Sequence, residues 1–184
     1  MKKLTDYATA HEAMIDLCDG VYDRAGELEN AVVLEAADLP DPYGALLAHN
    51  DHMTLRLEKH FDTRVELQVQ LEICEKDRYH RRILLTRADS GAIVEFGVVR
   101  IDLEYLQPSV REEILAKRTP LGEILVRHNV LRRIVPHWYL RFDAGSAVTQ
   151  EFVGLDDGPA FGRVGTILCD EQPAIELLEI VKCP

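Results

Sequence analysis

From residue 64 onward the chain alternates. In RVELQVQLEI, Val65, Leu67, Val69, Leu71 and Ile73 are apolar and the residues between them polar, the period of a strand with one buried and one wet face. Two further strands are predicted over Arg81 to Arg87 and Ile93 to Ile101. The segment between them, Ala88-Asp89-Ser90-Gly91, has the small, turn-forming residues of a hairpin. Gly97 interrupts the second strand, which predicts a bulge or a close approach by a ligand or another backbone. Later, His137 to Phe142, Gly162 to Cys169 and Ala174 to Lys182 read as strands, with Asp170-Glu171-Gln172-Pro173 turning between the last two.

Helical spacing appears elsewhere. Residues 8–36 place Ala13, Leu17, Val21 and Leu28 on one stripe, predicting one or two helices broken near Gly20 or Gly26. Pro40 and Pro42 stop that pattern. Leu46, Leu47, Met53, Leu57 and Phe61 then predict a helix over 44–61. Ser109 and Glu112 have the spacing of a capping box, and Thr119-Pro120 reads as N-cap and first turn of another helix. Strands in runs beside clustered helices predict an α+β fold, a single mainly antiparallel sheet with flanking helices. Residues 1–40 are expected to form a helical extension packed on the same domain, and 41–184 the domain proper.

Composition narrows the partners. With 184 residues, 47% hydrophobic and 29% charged, the chain can bury a substantial core. A net charge of -11 disfavours nucleic acid and anionic membranes, both of which need a cationic face. No apolar run approaches the roughly 20 residues of a membrane span. The opening residues lack the apolar stretch of a secretion signal. Cys18, Cys74, Cys169 and Cys183 are scattered, so reduced thiols and a cytoplasmic location are expected, in a monomer or small homo-oligomer.

Three features could carry chemistry. A helix start at Leu121 and Gly122 would leave backbone N–H groups free for an anion, or be no more than a helix start. Arg81 shares its strand face with Ile83 and Leu85, and Arg82 takes the opposite face. One of the two guanidinium groups is expected to point inward, where a carboxylate partner or ligand would make it tolerable. Glu179 shares a face with Ile175, Leu177 and Val181, and burial there would raise its pKa. Glu176, on the other face, is the weaker candidate. His49 and His52 flank Asp51 without a third spaced ligand, so a metal is not expected. No nucleophile elbow, P-loop or dinucleotide fingerprint occurs.

Five blocks in order, HNDHMTLRLEKHF, YHRRILL, the glycine of VEFGVVRIDL, TPLGEIL and GRVGTILCDEQPAIELLEIVKCP, resemble the chorismate lyases and their relatives. They cover most of residues 44–184. The resemblance implies elimination of pyruvate from chorismate to give 4-hydroxybenzoate without a cofactor, Arg81 and Glu179 being catalytic. Arg81, the Leu121 amide beside Gly122, and the Met53 backbone would bind the ring carboxylate. Glu179 would meet the ring hydroxyl, and Gly97 would lie near the pocket. Arg163 or Arg141 would bind the second carboxylate, and the loosely matching segment 143–160 would form a separate lid. The ligand class implied is an aromatic or cyclohexadiene carboxylate. The same fold serves as the effector-sensing domain of certain winged-helix repressors, so a non-catalytic binder of an aromatic acid is the competing expectation, with a lyase for another chorismate-like enol ether as a third.

Overall fold

In the computed structural model, which describes residues 3–153, 155 and 157–183, seven strands form one antiparallel sheet. The strands are β1 (Val32–Leu34), β2 (Val65–Glu75), β3 (Arg78–Arg87), β4 (Ile93–Asp102), β5 (Arg132–Phe142), β6 (Ala160–Cys169) and β7 (Gln172–Val181). Their spatial order is β1-β5-β6-β7-β4-β3-β2. Around them lie α1 (Ala10–Cys18), α2 (Tyr43–Leu47), α3 (Met53–Phe61), α4 (Pro108–Leu115) and α5 (Leu121–Arg127). The α+β class expected from the sequence is the one observed.

Alternation in the central strands gives the sheet two buried faces. Phe96, Val98, Leu178 and Ile180 pack against α1 and the segment through Ala31. On the other face, Ile101, Ile175 and Leu177 meet α4 and α5, while Ile83, Leu85 and Val181 meet α2 and α3. The turns follow the same local logic. Asp170 and Glu171 both have positive φ, 48° and 63°, so a two-residue turn joins β6 to β7 where four residues were expected.

Several elements differ from the sequence pattern. Residues 1–40 contribute α1 and short 3-10 turns, but also β1, which pairs with β5 at the sheet edge. The predicted helix over 44–61 is two helices, because Arg163 draws the carbonyls of Leu47 and His49 out of helical pairing. The capping box does not form: Pro108 occupies the first helical position, Gln107 is the cap, and Ser109 falls inside the helix. Helix α5 starts one residue later than predicted, with Pro120 as its cap. β5 extends back to Arg132 across an irregularity between Pro136 and Trp138, where proline removes a ladder donor. Gly97 sits in regular register between Ile83 and Glu179 rather than at a bulge.

Candidate functional site

On the α2–α5 face the sheet floor and the starts of α3 and α5 enclose a cavity of about 50 Å³. Its walls are mostly apolar: Met53, Leu67, Ile83, Leu85, Val99, Leu121, Ile167 and Leu177. A space of that size holds a few waters. Arg81, Glu95 and Glu179 supply its charged lining, and His52 and Thr54 add polar groups.

Strand register explains the placement. Arg81 pairs with Val99, which pairs with Leu177; Ile83 pairs with Gly97, which pairs with Glu179. Arg81 and Glu179 are thus two strands and two residues apart, roughly 12 Å between Cα atoms. Gly97 lies between them. A Cβ there would come within 3.0 Å of Ile83 Cδ1 and 3.3 Å of Glu95 Oε1, so the missing side chain gives these two groups their room.

Arg81 is 1% exposed, and its Nε and Nη1 have no hydrogen-bond partner among the described residues. Its guanidinium stands 5.6 Å from the centre of the Tyr79 ring, and no described carboxylate reaches it at ion-pair distance. Glu72, opposite it in β2, accepts instead from Tyr79 Oη and Lys117 Nζ. Burial lowers the Arg81 pKa, but a guanidinium keeps its proton in proteins. A permanent cation with free donors therefore faces an apolar enclosure, an arrangement that favours an incoming anion.

At the other end the cations are spent. Arg163, also 1% exposed, donates from Nε to Glu179 Oε2 at 2.6 Å and from Nη1 to the carbonyls of Leu47 (3.0 Å) and His49 (2.8 Å). It stands behind Glu179 and does not line the cavity. Arg141 lies elsewhere, on exposed β5, paired with Asp143 at 2.6 Å. Neither is placed as the second carboxylate ligand that the resemblance suggested. Glu176 is on the opposite face, holding Arg100 at 2.8 Å and the Leu4 amide at 2.8 Å.

The loop before α3 forms the outer wall. His52 accepts a hydrogen bond from Arg132 Nε at 2.5 Å, and His49 rests on the Leu46 carbonyl. Burial first, then Arg132 and Arg163 for His52 and Arg163 for His49, push both imidazoles down to about 4. Both are neutral at pH 7. Gly122 is what lets this wall close: a Cβ there would lie 2.7 Å from His52 Cβ. Gly122→Ala is therefore expected to displace the His52 wall and cost about 1–3 kcal/mol of stability, read as a lower melting temperature.

The structure thus brings Arg81, Glu179, Met53, Leu121 and Gly122 to one cavity, with Gly97 beneath it and Arg163 behind it. Leu121 and Gly122 begin α5, so their N–H groups have no partner within the helix. Glu95 was not singled out in the sequence, although a lone acid in the apolar run IVEFGVV is the same signal that marks Glu179. The described part of segment 143–160 lies away from this cavity and does not cover it. Its Val148 and Phe152 are buried in the cluster on the sheet's other face, beside α1.

No protein-family model matches the chain, and no curated protein matches it. Solved structures do. The chain is similar to PhnF from Mycobacterium smegmatis over 71% of its own length and 63% of that chain, at 12% identity and a TM-score of 0.52. It also aligns with the possible transcriptional regulator YydK from Bacillus subtilis (13% identity, 66% of this chain and 60% of that one, TM-score 0.44). A third alignment is with the C-terminal domain of Yurk from Bacillus subtilis (14% identity, 66% and 89%, TM-score 0.38). The chain spans less than two-thirds of PhnF, and what the two share is the fold.

Proposed function

We propose that this chain binds a small, flat monocarboxylate, a hydroxybenzoate-like acid, and does not turn it over. The observation that carries the reading is Arg81: a buried guanidinium with two unpartnered donors and no described carboxylate at ion-pair distance, lining a mostly apolar cavity. One carboxylate neutralises it and fits the fork of the guanidinium. Chorismate brings two carboxylates and a bulkier body. Arg163, a further buried cation on this face of the sheet, is already bound to Glu179 and two carbonyls.

The lyase reading keeps one observation in its favour, the two acids Glu95 and Glu179 at the end opposite Arg81. In that reaction the ether C–O bond breaks, the ring loses its C4 proton to a base, and the departing enolpyruvate takes up a proton to become pyruvate. Glu179 would serve as the base or orient the hydroxyl.

One experiment separates the two. Purified protein is titrated calorimetrically with 4-hydroxybenzoate and, in parallel, incubated with chorismate while pyruvate and 4-hydroxybenzoate are followed. Saturable one-to-one binding with chorismate intact is the expected result. Equal amounts of both products would replace the binding reading with the lyase.

A further inference from the structure

At the end of the cavity away from Arg81 sits a second buried polar atom without a partner among the described residues. Glu95, on β4, is 3% exposed, and its Oε2 has no hydrogen-bond partner among the described residues. Its Oε1 occupies the room left by Gly97. Glu179 approaches it from β7, with Arg163 of β6 behind that carboxylate, and Arg81 of β3 and His52 of the α3 loop line the same cavity. Burial, and then the neighbouring Glu179 charge, hold the Glu95 carboxyl well above the usual carboxylate range, against a smaller opposing pull from Arg163. That shift favours the protonated carboxyl, which can donate as well as accept.

We propose that Glu95 determines specificity: its carboxyl O–H donates to an oxygen on the ligand opposite the carboxylate held by Arg81. The site then takes flat acids carrying a distal hydroxyl or oxo oxygen and discriminates against the same acids without it. This rests on the monocarboxylate reading of the same cavity. The physical reason is asymmetry. A ligand lacking the oxygen leaves a buried donor unpaired and expels whatever water served it, whereas the matching ligand satisfies it. Dispersive contact with the apolar walls is nearly equal for both, so the discrimination resides in the polar end of the cavity, where the unpartnered Oε2 belongs to Glu95 and Glu179 is already held by Arg163.

The test is a calorimetric titration of the full chain with 4-hydroxybenzoate and with benzoate, in wild type, Glu95→Gln and Glu95→Leu. The wild type is expected to prefer 4-hydroxybenzoate by about ten- to a hundredfold. Glu95→Gln, which keeps a neutral donor, retains most of that preference. Glu95→Leu loses it while still binding benzoate, and melts no lower than wild type because a buried unpaired acid has been removed. Equal wild-type affinity for the two acids would overturn the role of Glu95 alone. So would a preference that survives in Glu95→Leu, or one lost equally in Glu95→Gln. Failure of the wild type to bind either acid would overturn the monocarboxylate reading itself.

Discussion

Arg81→Met is expected to abolish acid binding and, at the same time, to make the empty protein more stable. The binding loss follows from removing the fork: two charge-assisted hydrogen bonds in a dry enclosure vanish together, a loss of at least about a hundredfold in affinity. The stability gain has the opposite origin. Without ligand the guanidinium is desolvated and its Nε and Nη1 are unpartnered, and the pull of Tyr79 and Glu72 is smaller than that burial penalty. Replacing it with an apolar side chain of similar length removes that penalty, a gain of about 1–4 kcal/mol. For a chain of this size that corresponds to roughly 2–16 °C in melting temperature. Arg81→Lys keeps the charge without the planar fork and should bind weakly while gaining no stability. Calorimetric titration and thermal melts on the same preparations read both effects. An Arg81→Met variant that melts lower yet still binds would remove Arg81 from the site.

A cation retained at a cost to the fold is also what made the site partly visible in the sequence. Arg81 and Glu179 stand out because each is an ionised residue in phase with apolar neighbours on a strand, and no burial pattern explains them without a partner. Glu95 carries the same mark, a lone acid in an apolar strand two residues before Gly97. What strand phase could not reveal is pairing. That Arg163 faces Glu179 depends on the β6–β7 register, which the two-residue turn at Asp170 and Glu171 begins and an irregularity between Ile167 and Leu168 shifts by one residue. The alternation of β2 was legible only as far as Val69: an irregularity between Val69 and Leu71 moves Leu71 and Ile73 to the face of Arg82 and His80, where both are exposed. The three-residue β1 is too short to show a period at all. The break between α2 and α3 was illegible for a tertiary reason, since the apolar stripe runs straight through it and only the distant Arg163 interrupts the helix. Segment 143–160 misled because it lacks a pattern that would say which face of the sheet it covers.

Arg163→Met should do the reverse of Arg81→Met, lowering stability by about 3–5 kcal/mol and the melting temperature by roughly 6–20 °C. Both arginines are 1% exposed and lie on the same face of the same sheet. Exposure therefore does not predict the sign; partners do. Arg163 closes a ring of contacts joining β7, through Glu179, to the loop between α2 and α3, through the Leu47 and His49 carbonyls. Without it a largely buried carboxylate and two carbonyls lose their donors together, and the loop that carries His52 loses its anchor to the sheet. Because part of the damage is the stranded Glu179 charge, adding Glu179→Gln to Arg163→Met should recover a measurable share of the loss, although Glu179→Gln alone weakens the wild-type pair. Lysine at 163 should rescue little, since one ammonium cannot satisfy a carboxylate on β7 and two carbonyls on the loop from a single position. Thermal melts of the four members of that cycle measure the coupling. An Arg163→Met protein melting within about 2 °C of wild type, under 1 kcal/mol for a chain of this length, would show that the loop and the Glu179 carboxylate are held by something other than this guanidinium.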